Sequence, residues 1–299
     1  MGHIITDLKE AFRRGNVYIQ LIFINVGVFV ITTLIGILLQ LFNRSAAGIF
    51  ELLALPASFT RFAWQPWSIF TYMFMHAGFL HILFNMLWLY WFGALFLYFF
   101  SGKHLRGLYI VGGICGGLLY MISYNVFPYF RPMTAYSTMV GASASVLAIV
   151  VATAYREPNY PVRLLFFGNV RLKYLALIVV LTDLLFITSS NAGGHIAHLG
   201  GALAGLWFAA SLNKGKDITS WVNKALDAIA ALFSAKTWKR KPKLKVHYGN
   251  NTRQNDSDYN ARTKAQSDAI DRILDKLKKS GYESLTTEEK KSLFDASKR

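Results

Sequence analysis

The sequence predicts an all-α membrane protein, six transmembrane helices followed by a short helical tail on the cytoplasmic side. Three observations predict it. More than half of the 299 residues are hydrophobic. They gather into blocks long enough for a helix of ~20 residues to cross a bilayer. Lys and Arg crowd into alternate connections between the blocks, as short cytoplasmic loops do.

The six blocks run approximately from Val17 to Phe42, Leu80 to Phe100, Leu105 to Tyr124, Thr138 to Tyr155, Leu172 to Ser189 and Gly194 to Leu212. The first is the least ambiguous, being free of charge from Tyr18 to Leu41. The fifth is the weakest because it contains Asp183, read here as making a helix-end or interhelical hydrogen bond. Lys9, Arg13 and Arg14 precede the first block, Lys103 and Arg106 follow the second, Arg156, Arg163, Arg171 and Lys173 follow the fourth, and a basic tail follows the sixth. Of Lys and Arg, the other loops hold only Arg44, Arg61 and Arg131. Both termini are therefore expected in the cytoplasm. No cleavable signal peptide is evident, since the first block is of full transmembrane length and no small-residue cleavage site ends it. The expected location is a bacterial inner (plasma) membrane, crossed several times.

The formal charge of +16 points to anionic lipid at the cytoplasmic face rather than to nucleic acid, because much of it sits beside membrane blocks and in the tail. Cys115, the single cysteine, lies in the glycine-rich third block, cannot form an intramolecular disulfide, and reads as a small packing residue in a close helix contact.

The domain boundaries follow composition: an N-terminus over 1–16, a six-helix core over 17–212, a juxtamembrane segment over 213–248, a linker over 249–260 and a helical tail over 261–299. In the juxtamembrane segment Trp221, Val222, Ala225, Leu226, Ile229, Leu232 and Phe233 share one helical face. Lys236, Lys239, Arg240, Lys241, Lys243 and Lys245 follow, with Trp238 among them, an amphipathic pattern with a polybasic flank. In the tail, Ile270, Ile273, Leu274 and Leu277 mark a helix that stops near Gly281. Thr286 and Glu289 form a capping box that opens a second.

Three segments carry chemistry. At the start of the second block, His81 and Asn85 are four apart and share a helix face. Two neutral donors on one face can point at a developing oxyanion, or be no more than an interhelical polar contact or an interfacial histidine; His76, just before, reads as a loop-packing or interfacial residue. At the head of the fourth block lies Gly141-Ala-Ser143, with Gly141, Ala144 or Ser145, Ala148 and Ala152 forming a small-residue stripe. A serine there has free helix N–H groups beside it. In the sixth block, His198 lies beside the stripe Ala197, Gly201 and Gly205, and an ionisable ring in hydrocarbon is a functional candidate whose partner would be Ser143. His195, three residues earlier, occupies a similar side. Spacing alone leaves open which histidine meets the serine, or whether both bind a metal; against the metal, no carboxylate or thiolate is expected to accompany the pair.

His81-x-x-x-Asn85, Gly141-x-Ser143 and Ala197-His198-x-x-Gly201-x-x-x-Gly205 occur in the order found in the rhomboid family of intramembrane serine proteases, and from about Pro66 to Leu212 the chain resembles that family. The resemblance implies a six-transmembrane-helix rhomboid-like bundle and a catalytic dyad of Ser143 and His198. The oxyanion hole it implies is lined by the Ser143 backbone N–H, His81 and Asn85. It implies single-pass membrane proteins as substrates and needs no metal or organic cofactor; the oligomeric state is left open. Departures from the common pattern are Ala144 after the serine, Ser68 after Trp67, Phe96 in place of a glutamate, and Leu147 in place of an aromatic. A different class, the catalytically silent rhomboid-like scaffold that binds membrane clients, typically lacks the serine or the histidine, and this chain keeps both.

Overall fold

The computed structural model describes residues 12, 15–164, 168–232 and 252–297. The chain is mostly helical and divides into two units, Met1–Thr237 and Trp238–Arg299.

In the first unit, α1 (Val17–Leu41) leads into an irregular segment of short elements: α2 (Ala47–Leu53), β1 (Leu55–Pro56), α3 (Phe59–Trp64), α4 (Ser68–Thr71) and a 3-10 turn (Tyr72–Phe74). Next come α5 (Phe79–Phe99), α6 (Gly102–Val126), a 3-10 turn (Arg131–Met133), β2 (Thr138–Met139) and α7 (Ser143–Arg156). The hairpin of β3 (Pro161–Leu164) and β4 (Gly168–Arg171) precedes α8 (Leu172–Leu185), α9 (Ala192–Asn213) and α10 (Ser220–Leu232).

Among the described residues, four helices are long and apolar enough to cross a membrane: α1, α5, α6 and α9. The fourth and fifth blocks give shorter helices, α7 and α8, of 14 residues each. The difference at α7 has a physical cause. Every residue from Ala144 to Ala154 is buried, and the helix packs against α5, α6, α8 and α9. A helix screened on all sides by protein need not match the bilayer thickness that sets the length of a lipid-facing one. Its first five predicted residues instead form β2 and the approach to Ser143. α1 is the opposite case. Ile24, Ile31, Leu34, Ile37 and Leu38 face outward, while buried Asn25 donates to the Leu21 carbonyl and to the Tyr109 hydroxyl, which in turn donates to the Met73 carbonyl.

Small residues bring α6, α7 and α9 together. A methyl group on Gly201 would collide with the Ala144 carbonyl, and one on Gly205 with the Ala148 carbonyl. Likewise, a Cβ on Gly116 would lie 2.6 Å from the Ala144 Cβ, and one on Gly200 2.6 Å from the Cys115 carbonyl. Absent side chains let the backbones meet, the usual basis of close packing between membrane helices. The small stripes expected on α7 and α9 are therefore the two faces of one contact.

α10 packs on α6. Val222 is buried against Val111 and Ala204, Asn223 donates to the Lys103 carbonyl and accepts from the Arg106 guanidinium, and Arg106 also pairs with Asp227 at 3.2 Å. The polybasic residues Lys236 to Lys245, and Lys9, Arg13 and Arg14, lie outside the described residues.

The second unit contains α11 (Thr252–Ser280), a 3-10 turn (Tyr282–Ser284) and α12 (Thr287–Ser297). Gly281 ends α11 with φ +77°. The capping box forms as read: Glu289 N–H donates to the Thr286 hydroxyl at 3.3 Å, and Thr286 N–H to the Glu289 carboxylate at 2.8 Å. The expected linker, 249–260, overlaps a helix, and residues 249–251 lie outside the described residues. Residues 252–260 are the first turns of α11; a polar run without Pro or Gly remains free to be helical, and polarity alone does not end a helix.

Candidate active site

The segment before α7 is held by a strap. β1 and β2 pair antiparallel, Leu55 opposite Met139 and Pro56 opposite Thr138, Ala57 N–H bonds the Ser137 carbonyl at 3.0 Å, and Gly141 N–H bonds the Tyr72 carbonyl at 2.9 Å. The chain turns into α7 at Gly141, whose φ of +137° suits glycine. A Cβ there would also lie 2.9 Å from His81 Nε2. Glycine thus serves both the backbone and the space in front of His81. Ser143 follows as the first residue of α7, so its own N–H has no partner one turn back.

His81 occupies the first turn of α5. Its Nδ1 accepts the Ala77 N–H at 3.4 Å, which leaves the proton of the neutral ring on Nε2, the nitrogen facing Gly141 and Ser143. The Ser143 hydroxyl oxygen lies 3.6 Å from the same Gly141 Cβ position that His81 Nε2 approaches. Asn85, one turn further, donates from its amide to the His81 carbonyl at 2.8 Å; its second amide hydrogen is free for another acceptor. His76 packs beside this pair, its ring 5.1 Å from that of His81 at 68°.

Ser143, His198, His81 and Asn85 line one cavity of about 500 Å³. Ser137, Thr138, Ser190 and Asn191 add polar groups to its wall. A smaller apolar cavity of about 220 Å³ adjoins it, lined by Phe84, Trp88, Val146, Leu147 and Val179 and sharing Ser143, Asn85 and His198. The four residues singled out by sequence therefore come together from three helices. His195 is not among the residues lining either cavity.

His195 is placed elsewhere, by a residue whose partners the sequence did not reveal. Asp183, in the last turn of α8, is buried, and its Oδ1 accepts from His195 Nδ1 and from His198 Nδ1, at 2.8 Å each. Its Oδ2 is buried with no hydrogen-bond partner among the described residues. The interhelical hydrogen bond expected of Asp183 is there, but its partners are the two candidate histidines. An available signal was an acidic residue near the end of one apolar block, a short turn before a histidine pair in the next.

A carboxylate thus accompanies the histidine pair in space, against the expectation from sequence. The three candidate ligand atoms lie within 4.8 Å of one another. The two separations from Asp183 Oδ1, 2.8 Å each, are those of hydrogen bonds, whereas donors around a tetrahedral zinc, about 2.1 Å from the ion, stand roughly 3.4 Å apart. The cluster as folded is a hydrogen-bonded one.

Residues 254–299 match a family of unknown function (DUF6576), which places α11 and α12 in a unit with relatives of its own. RHOMBOID-like protein 12, mitochondrial, from Arabidopsis thaliana is 29% identical over 158 residues, covering 50% of this chain and 47% of that protein. The chain spans about half the length of this relative. Residues 63–214, from α3 through α9 and so including Ser143, His198, His81 and Asn85, match the Rhomboid domain, and the chain belongs to the rhomboid family.

Proposed function

We propose that the protein is an intramembrane serine endopeptidase that cuts transmembrane segments of membrane proteins through Ser143 and His198. The observation that carries this reading is the shared cavity, in which a serine at a helix N-terminus, a histidine and two amide or imidazole donors converge from α5, α7 and α9. His198, neutral at Nε2, takes the proton of the Ser143 hydroxyl as its oxygen attacks the scissile carbonyl. The negative charge that develops on the carbonyl oxygen meets the Ser143 N–H, His81 Nε2–H and the Asn85 amide, each such donor being typically worth about 3 kcal/mol in the transition state. The carbon–nitrogen bond breaks as His198 protonates the leaving amine. His198 then activates a water, for which the polar wall of Ser137, Thr138, Ser190 and Asn191 provides a path, and the ester to Ser143 is hydrolysed.

The reading extends to six membrane-crossing helices, α7 and α8 being the two short ones, with both termini cytoplasmic and anionic lipid as the partner of the basic tail. The substrates are single-pass membrane proteins, and the location is a bacterial plasma membrane. The test is cleavage of a single-pass reporter in liposomes by the wild type, Ser143→Ala and His198→Ala. Cleavage by the wild type with a loss of about 10³-fold or more in both variants is expected. Binding of several reporters without cleavage would instead make the protein a client-binding scaffold.

A further inference from the structure

Asp183 is an uneconomical way to join two membrane helices. A carboxylate in an apolar helix is costly to bury, and an uncharged hydrogen-bonding residue would link α8 to α9 with less desolvation. Nor is it placed to satisfy its own oxygens: among the described residues Oδ2 has no partner, while Oδ1 accepts from two rings at 2.8 Å. What the arrangement does is fix protons. An ionised carboxylate only accepts, so both histidines donate from Nδ1, and Nε2 of His198 is left with its lone pair. That is the nitrogen a general base needs, since His198 lines the cavity with Ser143 while its Nδ1 points away to Asp183.

We infer that Asp183 is the positioning residue of this site, converting the Ser143–His198 pair into a Ser–His–Asp arrangement, with His195 as a second donor that fixes the carboxylate. The inference rests on the endopeptidase reading. During attack the proton moves from the Ser143 oxygen to His198 Nε2, giving an imidazolium whose Nδ1–H remains bonded to Asp183. The carboxylate stays ionised and faces the new positive charge in a low-dielectric interior. His195, one turn earlier on α9 and in contact with the same oxygen, restrains the rotation of Asp183. It neither touches the substrate nor exchanges a proton with Ser143.

The test uses the full-length protein in liposomes with Asp183→Asn, Asp183→Leu, His195→Ala and Ser143→Ala, each checked for folding by its thermal midpoint. Asp183→Asn keeps shape and an acceptor oxygen but removes the charge, and Asp183→Leu keeps apolar helix packing. Both are expected to lower kcat by about 10²-fold or more with KM within about twofold, and His195→Ala to cause a smaller partial loss. Nitrogen-15 spectra of histidine-labelled protein should report Nδ1–H on His198 in the wild type and its loss in Asp183→Leu. A folded Asp183→Leu or Asp183→Asn that turns over within about threefold of wild type overturns the inference, as does a wild-type spectrum with the His198 proton on Nε2. If Ser143→Ala cleaves like the wild type, the endopeptidase reading itself fails and takes this role of Asp183 with it.

Discussion

His76 is 1% exposed, and neither of its ring nitrogens has a hydrogen-bond partner among the described residues. Burial first, then the neighbouring His81, holds its pKa down to about 4 from 6.5. The folded protein keeps this ring neutral where the unfolded chain protonates it. Between these two values the unfolded state binds more protons, so the contribution to stability is fully present above pH 6.5 and is lost as the pH falls towards 4. A shift of this size corresponds to about 3 kcal/mol. In detergent, the thermal midpoint of the wild type should therefore fall more steeply between pH 6.5 and 4 than that of His76→Phe. Parallel slopes would mean that His76 titrates normally. At the same scale, Gly141 and His81 illustrate how one residue's geometry depends on another's: Gly141 is legible in sequence as a member of a small-residue stripe, but neither its φ of +137° nor the imidazole occupying the space of its missing side chain is.

Helix α7 is legible in sequence as an apolar block with a small-residue stripe, yet its 14-residue length and central position follow from its neighbours. Periodicity and hydropathy report which face is apolar; they do not report whether lipid or protein lies against it. The α7–α9 contact gives the prediction at this scale. Gly201→Ala places a methyl group on the Ala144 carbonyl, so either α9 moves off α7 or a backbone shifts, a change typically costing 1–3 kcal/mol. Because Gly201 is three residues after His198, reporter cleavage should fall further than the loss of folded protein explains. Gly27→Ala, on α1 with nothing within 4 Å of the added carbon, should leave both the thermal midpoint and cleavage close to wild type. Equal behaviour of the two variants would show that the α7–α9 contact tolerates an extra methyl.

The whole molecule is organised as two units, and its separable part does not begin where composition changes. A stop before Lys214 removes α10, with Val222 buried on α6 and Asn223 bonded to Arg106 and the Lys103 carbonyl. A stop after Thr237 respects the boundary between the units. The shorter chain is expected to lose thermal stability by several degrees, as deletion of a packed helix exposes Val111 and Ala204. The chain ending at Thr237 should keep the midpoint and reporter cleavage of the full-length protein. Loss of both in the longer truncation would assign residues 238–299 a part in supporting the core.

Sequence by itself determined the apolar blocks, their approximate ends and the capping box at Thr286, and through the resemblance of its motifs to the rhomboid family it singled out the four residues that meet in the cavity. Each of these is written in local pattern: hydropathy, a four-residue spacing on one helix face, or a motif within a few positions. Tertiary structure alone decided that α7 is enclosed, that the β1–β2 strap holds the approach to Ser143, and that Asp183 meets His195 and His198. Those facts depend on how one helix is rotated and set in depth against another. For Asp183 they depend on the reversal between Leu185 and Ala192, which returns the chain at the depth where a carboxylate and two imidazoles come within 2.8 Å. No hydropathy profile encodes that register, because the same apolar blocks joined by a differently shaped turn would bury the aspartate against different neighbours.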